Sequence, residues 1–154
     1  MFPQPEDQKG YTYLRDGLLQ AYGVVKDDEI RWPQHLDVHD EKALLVVKNG
    51  LTTGTTIGRV NGLDSFTRVY ADHGTEHTSI ETTILPYDKL RGPFSAPGDS
   101  GAIILNRAGR IVALLTGGSS KTDEIDVTYR TPYWWLEMQI KKAFPGCHLY
   151  QVVA

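Results

Sequence analysis

The segment from Phe94 to Leu105 reads Phe-Ser-Ala-Pro-Gly-Asp-Ser-Gly-Ala-Ile-Ile-Leu, a turn-forming string that runs directly into an apolar stretch. A serine held between glycines where a loop enters a strand can expose its hydroxyl, and the N–H groups of Gly98 and Ser100 can then serve as an oxyanion hole. Glycine at position 98 keeps the approach open, because a side chain there would narrow it. The same residues are common turn formers, so a plain turn is the alternative interpretation.

Short β-type runs separated by turn residues surround this segment. Pairs such as Asn49-Gly50 and Asn61-Gly62 suit tight hairpins. Even spacing of short strands without crossover helices is typical of an antiparallel sandwich or barrel, so the sequence predicts an all-β fold. The predicted strands cover residues 43–48, 52–60, 65–71, 78–85, 101–106, 110–115 and 126–130.

Helical patterns lie at both ends of the chain. Apolar residues recur at spacings of three and four over residues 10–22, which predicts an N-terminal amphipathic helix. A C-terminal helix is predicted with Thr131 as its N-cap. Residues 30–40 are irregular and polar, and we expect them to cross the surface. The prediction is a helical and irregular lead-in over residues 1–42, followed by the β body and terminal helix over residues 43–154.

The composition of the 154-residue chain excludes several classes of function. The net charge is −3 and the Lys and Arg residues are scattered, so a nucleic-acid partner is not expected. The apolar runs are only a few residues long, so no membrane span is predicted. Cys147 is the single cysteine, which excludes an internal disulfide and a cysteine-based zinc site. The chain opens without a signal-type segment, and a cytoplasmic location is favoured.

Two histidines upstream of Ser100 are candidate general bases. His35, Asp37 and His39 alternate, and alternate residues of a strand share one face. A solvated polar linker is the alternative interpretation of the same residues. A zinc site needs three or four converging ligands with supporting groups, which this cluster does not supply. We therefore expect neither a metal nor any other cofactor.

The segment around Ser100 resembles the nucleophile loop of chymotrypsin-like serine peptidases, and other segments follow in the order of that family. Residues 47–60 resemble the opening hairpin of its second barrel, and residues 110–118 resemble the strand beside the primary specificity pocket. Residues 128–132 resemble the last strand before the C-terminal helix. The ensemble is most similar to uncharacterised fungal trypsin-like proteins. The resemblance implies the second, C-terminal barrel of that fold, with six to seven antiparallel strands.

The same resemblance assigns roles to individual residues. It implies that Ser100 is the nucleophile and that the amides of Gly98 and Ser100 form the oxyanion hole. Phe94 takes the place of the acidic residue that trypsin-like relatives carry at the base of the pocket. The pocket should therefore reject Arg and Lys and accept apolar or small side chains. The pocket-lining residues implied in this way are Phe94, Thr116, Gly117 and Gly118.

The resemblance also implies a missing part. In the family, the His and Asp of the triad lie on a separate first barrel, and too few residues precede Ser100 to form one. We expect a hydrolase, the nucleophile-bearing half of a serine endopeptidase, that is nearly inactive alone because the serine lacks its base. The alternative is a non-catalytic, peptidase-like protein-interaction domain. The expected partners are a polypeptide substrate, a complementary first-barrel chain or a second copy in a homodimer.

Overall fold

The computed structural model describes residues 21–37, 39–60, 62–70, 74–87, 92–118 and 127–149. Within these ranges the chain forms two short helices and seven strands. The elements in chain order are α1 (Asp27–Arg31), β1 (Leu44–Gly50), β2 (Gly54–Val60), β3 (Asp64–Tyr70), β4 (Glu76–Pro86), β5 (Ile103–Asn106), β6 (Ile111–Gly118), β7 (Thr128–Pro132) and α2 (Tyr133–Ala143).

The strands form one antiparallel sheet in the order β2-β1-β5-β6-β7-β4-β3. β2 also pairs with β4, through Gly58 with Pro86 and Arg59 with Leu85. This extra pairing closes six strands into a barrel, which removes the free edges that an open sheet would expose. β3 lies outside the ring and forms a hairpin with β4. The predicted all-β, six-to-seven-stranded antiparallel barrel with a C-terminal helix is confirmed.

The barrel interior is filled by alternate residues of its strands. On β1, Leu44, Val46 and Lys48 are buried and face the interior together. On β7, Thr128 and Arg130 are likewise buried and face the interior. The interior therefore holds two cations among aliphatic side chains. The apolar core consists of Val25, Ile30, Leu44, Val46, Val60, Ile84, Phe94, Ile104, Val112, Ala113 and Leu115.

Part of the predicted lead-in closes one end of the barrel. Ile30 of α1 is buried in the core, and the N–H of Val25 donates to the carbonyl of Ile111 at 2.8 Å. The Arg110 guanidinium binds the Glu29 carboxylate at 2.6 and 2.8 Å and lowers the pKa of Glu29 to about 2. The expectation that residues 30–40 only cross the surface is corrected at Ile30 and at the buried Asp37. A five-residue helix is too short to show its inward face as a periodic pattern.

Two local predictions are adjusted, and a third lies almost wholly outside the described residues. Asn49 and Gly50 belong to β1, and the turn between β1 and β2 follows at residues 51–53. Pro132 rather than Thr131 is the N-cap of α2, because Thr131 pairs with Leu114 in the sheet. The N-terminal helix predicted over residues 10–22 lies outside the described residues, apart from residues 21 and 22, which are not helical. No helix in the described ranges is long and apolar enough to span a membrane.

We predict that Ile30→Ala lowers the free energy of unfolding by about 2–4 kcal/mol, because it leaves a cavity at the closed end of the barrel. Urea denaturation measures the loss. The matched control is Ile80→Ala on the outer hairpin, where the side chain is exposed and the change should be under about 0.5 kcal/mol. Equal losses in the two variants would show that α1 does not belong to the core.

Candidate functional site

Asp99 fastens the candidate nucleophile loop to the turn between β1 and β2. Its buried carboxylate accepts hydrogen bonds from the N–H groups of Thr52 (2.7 Å) and Thr53 (3.2 Å) and from the Thr53 hydroxyl (2.6 Å). The N–H of Ala96 in the same loop also donates to it, at 3.1 Å. Lys48 Nζ lies 3.1 Å from Asp99 Oδ2, and both side chains are 0% exposed. The loop and the turn therefore share one buried anion.

Lys48 is held from several sides. Its ammonium donates to the Thr53 hydroxyl and, at 3.2 Å, to the Gly54 carbonyl. The ring of Phe94 lies 5.7 Å from Nζ. Gly50 must be glycine here, because a Cβ would overlap the Asp99 carboxylate and the Lys48 ammonium. The ion pair therefore lies where strand, turn and loop meet, with no space for a side chain at position 50.

The surroundings of Asp99 keep its side chain ionised. Burial opposes ionisation, but hydrogen bonds from Thr53, Thr52, Ala96 and Lys48 outweigh that cost and hold the pKa of Asp99 well below its usual range. A carboxylate with such a low pKa is a poor proton acceptor at neutral pH. Asp99 is therefore a structural anion rather than a general base.

The residues on either side of Asp99 are turned to the surface. Gly98 and Ser100 are exposed, and Gly98 has a φ of +103°, a conformation that favours glycine. The N–H groups of Asp99 and Gly101 are bound to the carbonyls of Ala96 (3.0 Å) and Leu115 (2.8 Å). The N–H groups of Gly98 and Ser100 have no acceptor among the described residues, nor does the Ser100 hydroxyl have a partner there. Two unused donors thus accompany an exposed hydroxyl, as oxyanion stabilisation requires.

The loop also contacts β6 and β7, on the side where the specificity pocket was predicted. Ser95 Oγ lies 2.7 Å from Thr128 Oγ1. Gly118, which pairs with Thr128, lies beside Ser95. Thr116 and Gly117 precede it on β6, and the exposed Thr116 hydroxyl is 3.5 Å from Glu81 Oε2. Sequence reasoning missed Ser95 and Thr128, whose approach depends on a pairing between distant segments.

Phe94, predicted to lie at the base of the pocket, is a core residue beneath the loop. It is 1% exposed and belongs to the barrel core, where its ring and Ile84 leave no space for a Cβ at Gly58. The ring is enclosed in this structure, as are the side chains of Thr128 and Arg130, and the pocket role that the resemblance implies for Phe94 stays a prediction. An aromatic side chain at this position is used to fill the interior beneath the loop and to cover the Lys48 ammonium.

The structure does not bring the two candidate bases to Ser100. His35 Nδ1 lies 2.6 Å from Arg107 Nη2, and Arg107 follows β5 whereas Ser100 precedes it. The N–H of His39 donates to Asp37 Oδ1 at 2.7 Å, in a cluster that includes Arg59. Arg59 pairs with β1 at the end of the hairpin opposite the turn that holds Asp99. Both histidines thus lie at strand ends remote from the loop.

No family model and no curated protein matches this chain. Among solved structures, 14 chains match, and one that it resembles is a chymotrypsin of Cellulomonas bogoriensis. That likeness has 25% identity and a TM-score of 0.42, and it covers 66% of this chain and 47% of that enzyme. The chain therefore spans about half the length of that chymotrypsin.

We predict that Lys48→Met lowers the free energy of unfolding by about 3–5 kcal/mol, because it leaves the buried Asp99 carboxylate without its counter-charge. Urea denaturation is the measurement. Lys141→Met, which removes an exposed pair with Glu137 on α2, is the matched control and should leave stability nearly unchanged. A similarly small effect of Lys48→Met would mean that the buried pair does not fix the loop.

A second prediction separates the serine from the glycine beside it. Ser100→Ala should leave the melting temperature nearly unchanged, since the hydroxyl is exposed and without a partner among the described residues. Gly98→Val should cost about 1–3 kcal/mol, because φ is +103° and the Thr52 hydroxyl occupies the space for a Cβ. Scanning calorimetry compares the two. Equal destabilisation would favour the plain-turn interpretation.

Proposed function

We propose that this barrel is the nucleophile-bearing half of a chymotrypsin-like serine endopeptidase, with Ser100 as the nucleophile. The observation that carries the proposal is the arrangement around Asp99. Its carboxylate is drawn into the barrel by Lys48, while the Ser100 hydroxyl and the N–H groups of Gly98 and Ser100 stay at the surface without partners among the described residues. A plain turn does not require a buried ion pair at its centre.

The chemistry follows from these groups. Ser100 Oγ would attack a peptide carbonyl, and the electron pair of the C=O bond would move onto the oxygen. The N–H groups of Gly98 and Ser100 would stabilise that oxyanion, a contribution worth about 2.7–4 kcal/mol per donor in known enzymes. The proton of Ser100 must pass to a base, and neither His35 nor His39 is placed to accept it. The base would come from a complementary first barrel.

A non-catalytic interaction domain is the second candidate, and the outer hairpin favours it. Phe66, Tyr70 and Ile80 are 65%, 69% and 69% exposed, and Phe66 pairs directly with Ile80 across the two strands. Neighbouring exposed apolar side chains of this size are typical of a surface that contacts another protein. A complementary first-barrel chain or a second copy would bury them. This candidate makes no demand on the Ser100 hydroxyl.

Chemical rescue of the missing base tests the first candidate. We predict that the chain alone reacts slowly with a fluorophosphonate, and that imidazole in solution, acting as a diffusible base, speeds labelling at Ser100 by about tenfold or more. Mass spectrometry locates and times the label. Ser100→Ala should abolish it. The control is Ser79→Ala, which removes another exposed serine, hydrogen-bonded to Thr67, and should change nothing.

The other outcomes of the rescue experiment are decisive as well. Imidazole-independent, slow labelling spread over several serines would reject the peptidase proposal and favour the interaction domain. Fast labelling of Ser100 without imidazole would show that the chain contains its own base. Separate substitutions of His35 and His39 would then identify it.

A further inference from the structure

The barrel interior contains a cation for which the described part of the chain offers no hydrogen-bond partner. Arg130 of β7 is fully buried, and Nε, Nη1 and Nη2 have no hydrogen-bond partner among the described residues. Lys48, the other inward cation, is bound by Asp99, Thr53 and Gly54. An unpaired buried charge is unfavourable by several kcal/mol, so Arg130 offers an unused site for an anion.

The nearby carboxylates are engaged elsewhere. Asp64 binds Arg31 Nη1 at 2.9 Å, and Glu81 accepts from Thr131 at 3.3 Å. Burial lowers the pKa of Arg130 to about 9, while the charges of Asp64 and Glu81 raise it. The guanidinium is therefore still charged at neutral pH. The two carboxylates act on it through space and leave its donors open.

Arg130 lies next to the predicted specificity pocket. Thr128 and Arg130 are alternate residues of β7, both fully buried, and share its inward face. The Thr128 hydroxyl meets Ser95, which belongs to the loop that carries Ser100. Gly118, on the predicted pocket wall, pairs with Thr128. Beyond the hydroxyl pair, the next inward residue of the strand is Arg130.

We propose that Arg130 is the specificity-determining residue of the primary pocket and that it binds the carboxylate of an acidic side chain, Glu or Asp, of a polypeptide substrate. The inference rests on the proposed peptidase function. It replaces the earlier expectation, based on Phe94, that the pocket accepts apolar or small side chains. Because Thr128 and Arg130 are fully buried, the carboxylate reaches the guanidinium only after the hydrogen bond between Ser95 and Thr128 opens, and both hydroxyls then bind the carboxylate.

The charge of Arg130 discriminates between side chains of similar shape. A carboxylate can accept two parallel N–H bonds from a guanidinium, the strongest common hydrogen-bonded pair. The Arg130 guanidinium already lost its hydration when the chain folded, so binding a carboxylate does not require its desolvation again. A glutamine side chain offers one neutral oxygen, and a lysine side chain places a second cation beside the first. The pocket therefore ranks Glu above Gln and excludes Lys.

The test measures binding rather than catalysis, so it does not need the missing base. The 154-residue chain is titrated with acetyl-Ala-Ala-Glu amide and with the matching Gln and Lys peptides, while NMR follows the Nε–H of Arg130 and the amide of Gly118. We expect the Glu peptide to bind at least about tenfold more tightly than the Gln peptide, with a shift of the Nε–H signal. The Lys peptide should not bind detectably.

Two Arg-to-Met variants show which arginine causes the preference for the Glu peptide. Arg130→Met should bind the Glu and Gln peptides equally, whereas Arg68→Met should keep the preference, because Arg68 stands over the Phe66 ring on the outer hairpin. Replacing an unpaired buried charge by an apolar side chain is often stabilising, so Arg130→Met should fold. If Arg130→Met does not fold, the test rests on the wild type alone: the ratio of its affinities for the Glu and Gln peptides, and the shift of the Arg130 Nε–H signal.

The result that would overturn the assignment is equal binding of the Glu and Gln peptides to the wild type, or a preference that survives in Arg130→Met. The two proposals can fail separately. A Glu preference together with no imidazole-dependent labelling of Ser100 would reject the peptidase and leave the carboxylate site. Labelling without a Glu preference would reject the role of Arg130 alone.

Discussion

The buried ion pair between Lys48 and Asp99 is the interaction on which the rest of the site depends. Removing both charges from water is costly, so the pair is favourable only when hydrogen bonds satisfy the remaining donors and acceptors. Those bonds come from Thr52 and Thr53 in the turn after β1 and from Ala96 in the loop before β5. The turn and the loop are consequently held in place by the same buried ion pair.

The ion pair also explains why the loop has two chemically different sides. The Asp99 side chain points into the barrel, whereas the N–H groups of Gly98 and Ser100 are not used by the described residues inside it. Gly98 takes a φ of +103°, and the Thr52 hydroxyl occupies the space that a side chain at this position would need. The same backbone path therefore places the Asp99 carboxylate inside the barrel and leaves the N–H groups of Gly98 and Ser100 without an acceptor among the described residues. An oxyanion site of this kind requires no flexible side chain.

The sequence predicted the features that depend on local patterns. All seven strands were predicted because alternation and turn residues are visible within each segment. The string around Ser100 likewise predicted that position 98 needs glycine, and the structure adds that its φ is positive. Lys48 and Arg130 were missed, since a lone cation in a strand is normally exposed and only its distant neighbours show that it is buried. Ile30 was missed because a five-residue helix is too short to show its inward face as a periodic pattern. Phe94 was assigned by resemblance to a pocket, whereas packing against Ile84 and Lys48 decides its place.

The loop binds one inward cation, Lys48, directly and approaches the other, Arg130, only through Thr128. At one position Asp99 is bound to Lys48, and at another Ser95 is bound to Thr128, the neighbour of Arg130 along the inward face of β7. A carboxylate that replaces the Ser95–Thr128 bond therefore acts on the segment that also positions the amides of Gly98 and Ser100. The Asp99 anchor resists displacement, because moving it would break several charge-assisted hydrogen bonds at once. In the proposed peptidase, a substrate carboxylate would therefore enter on the Arg130 side while the N–H groups beside Ser100 keep their positions.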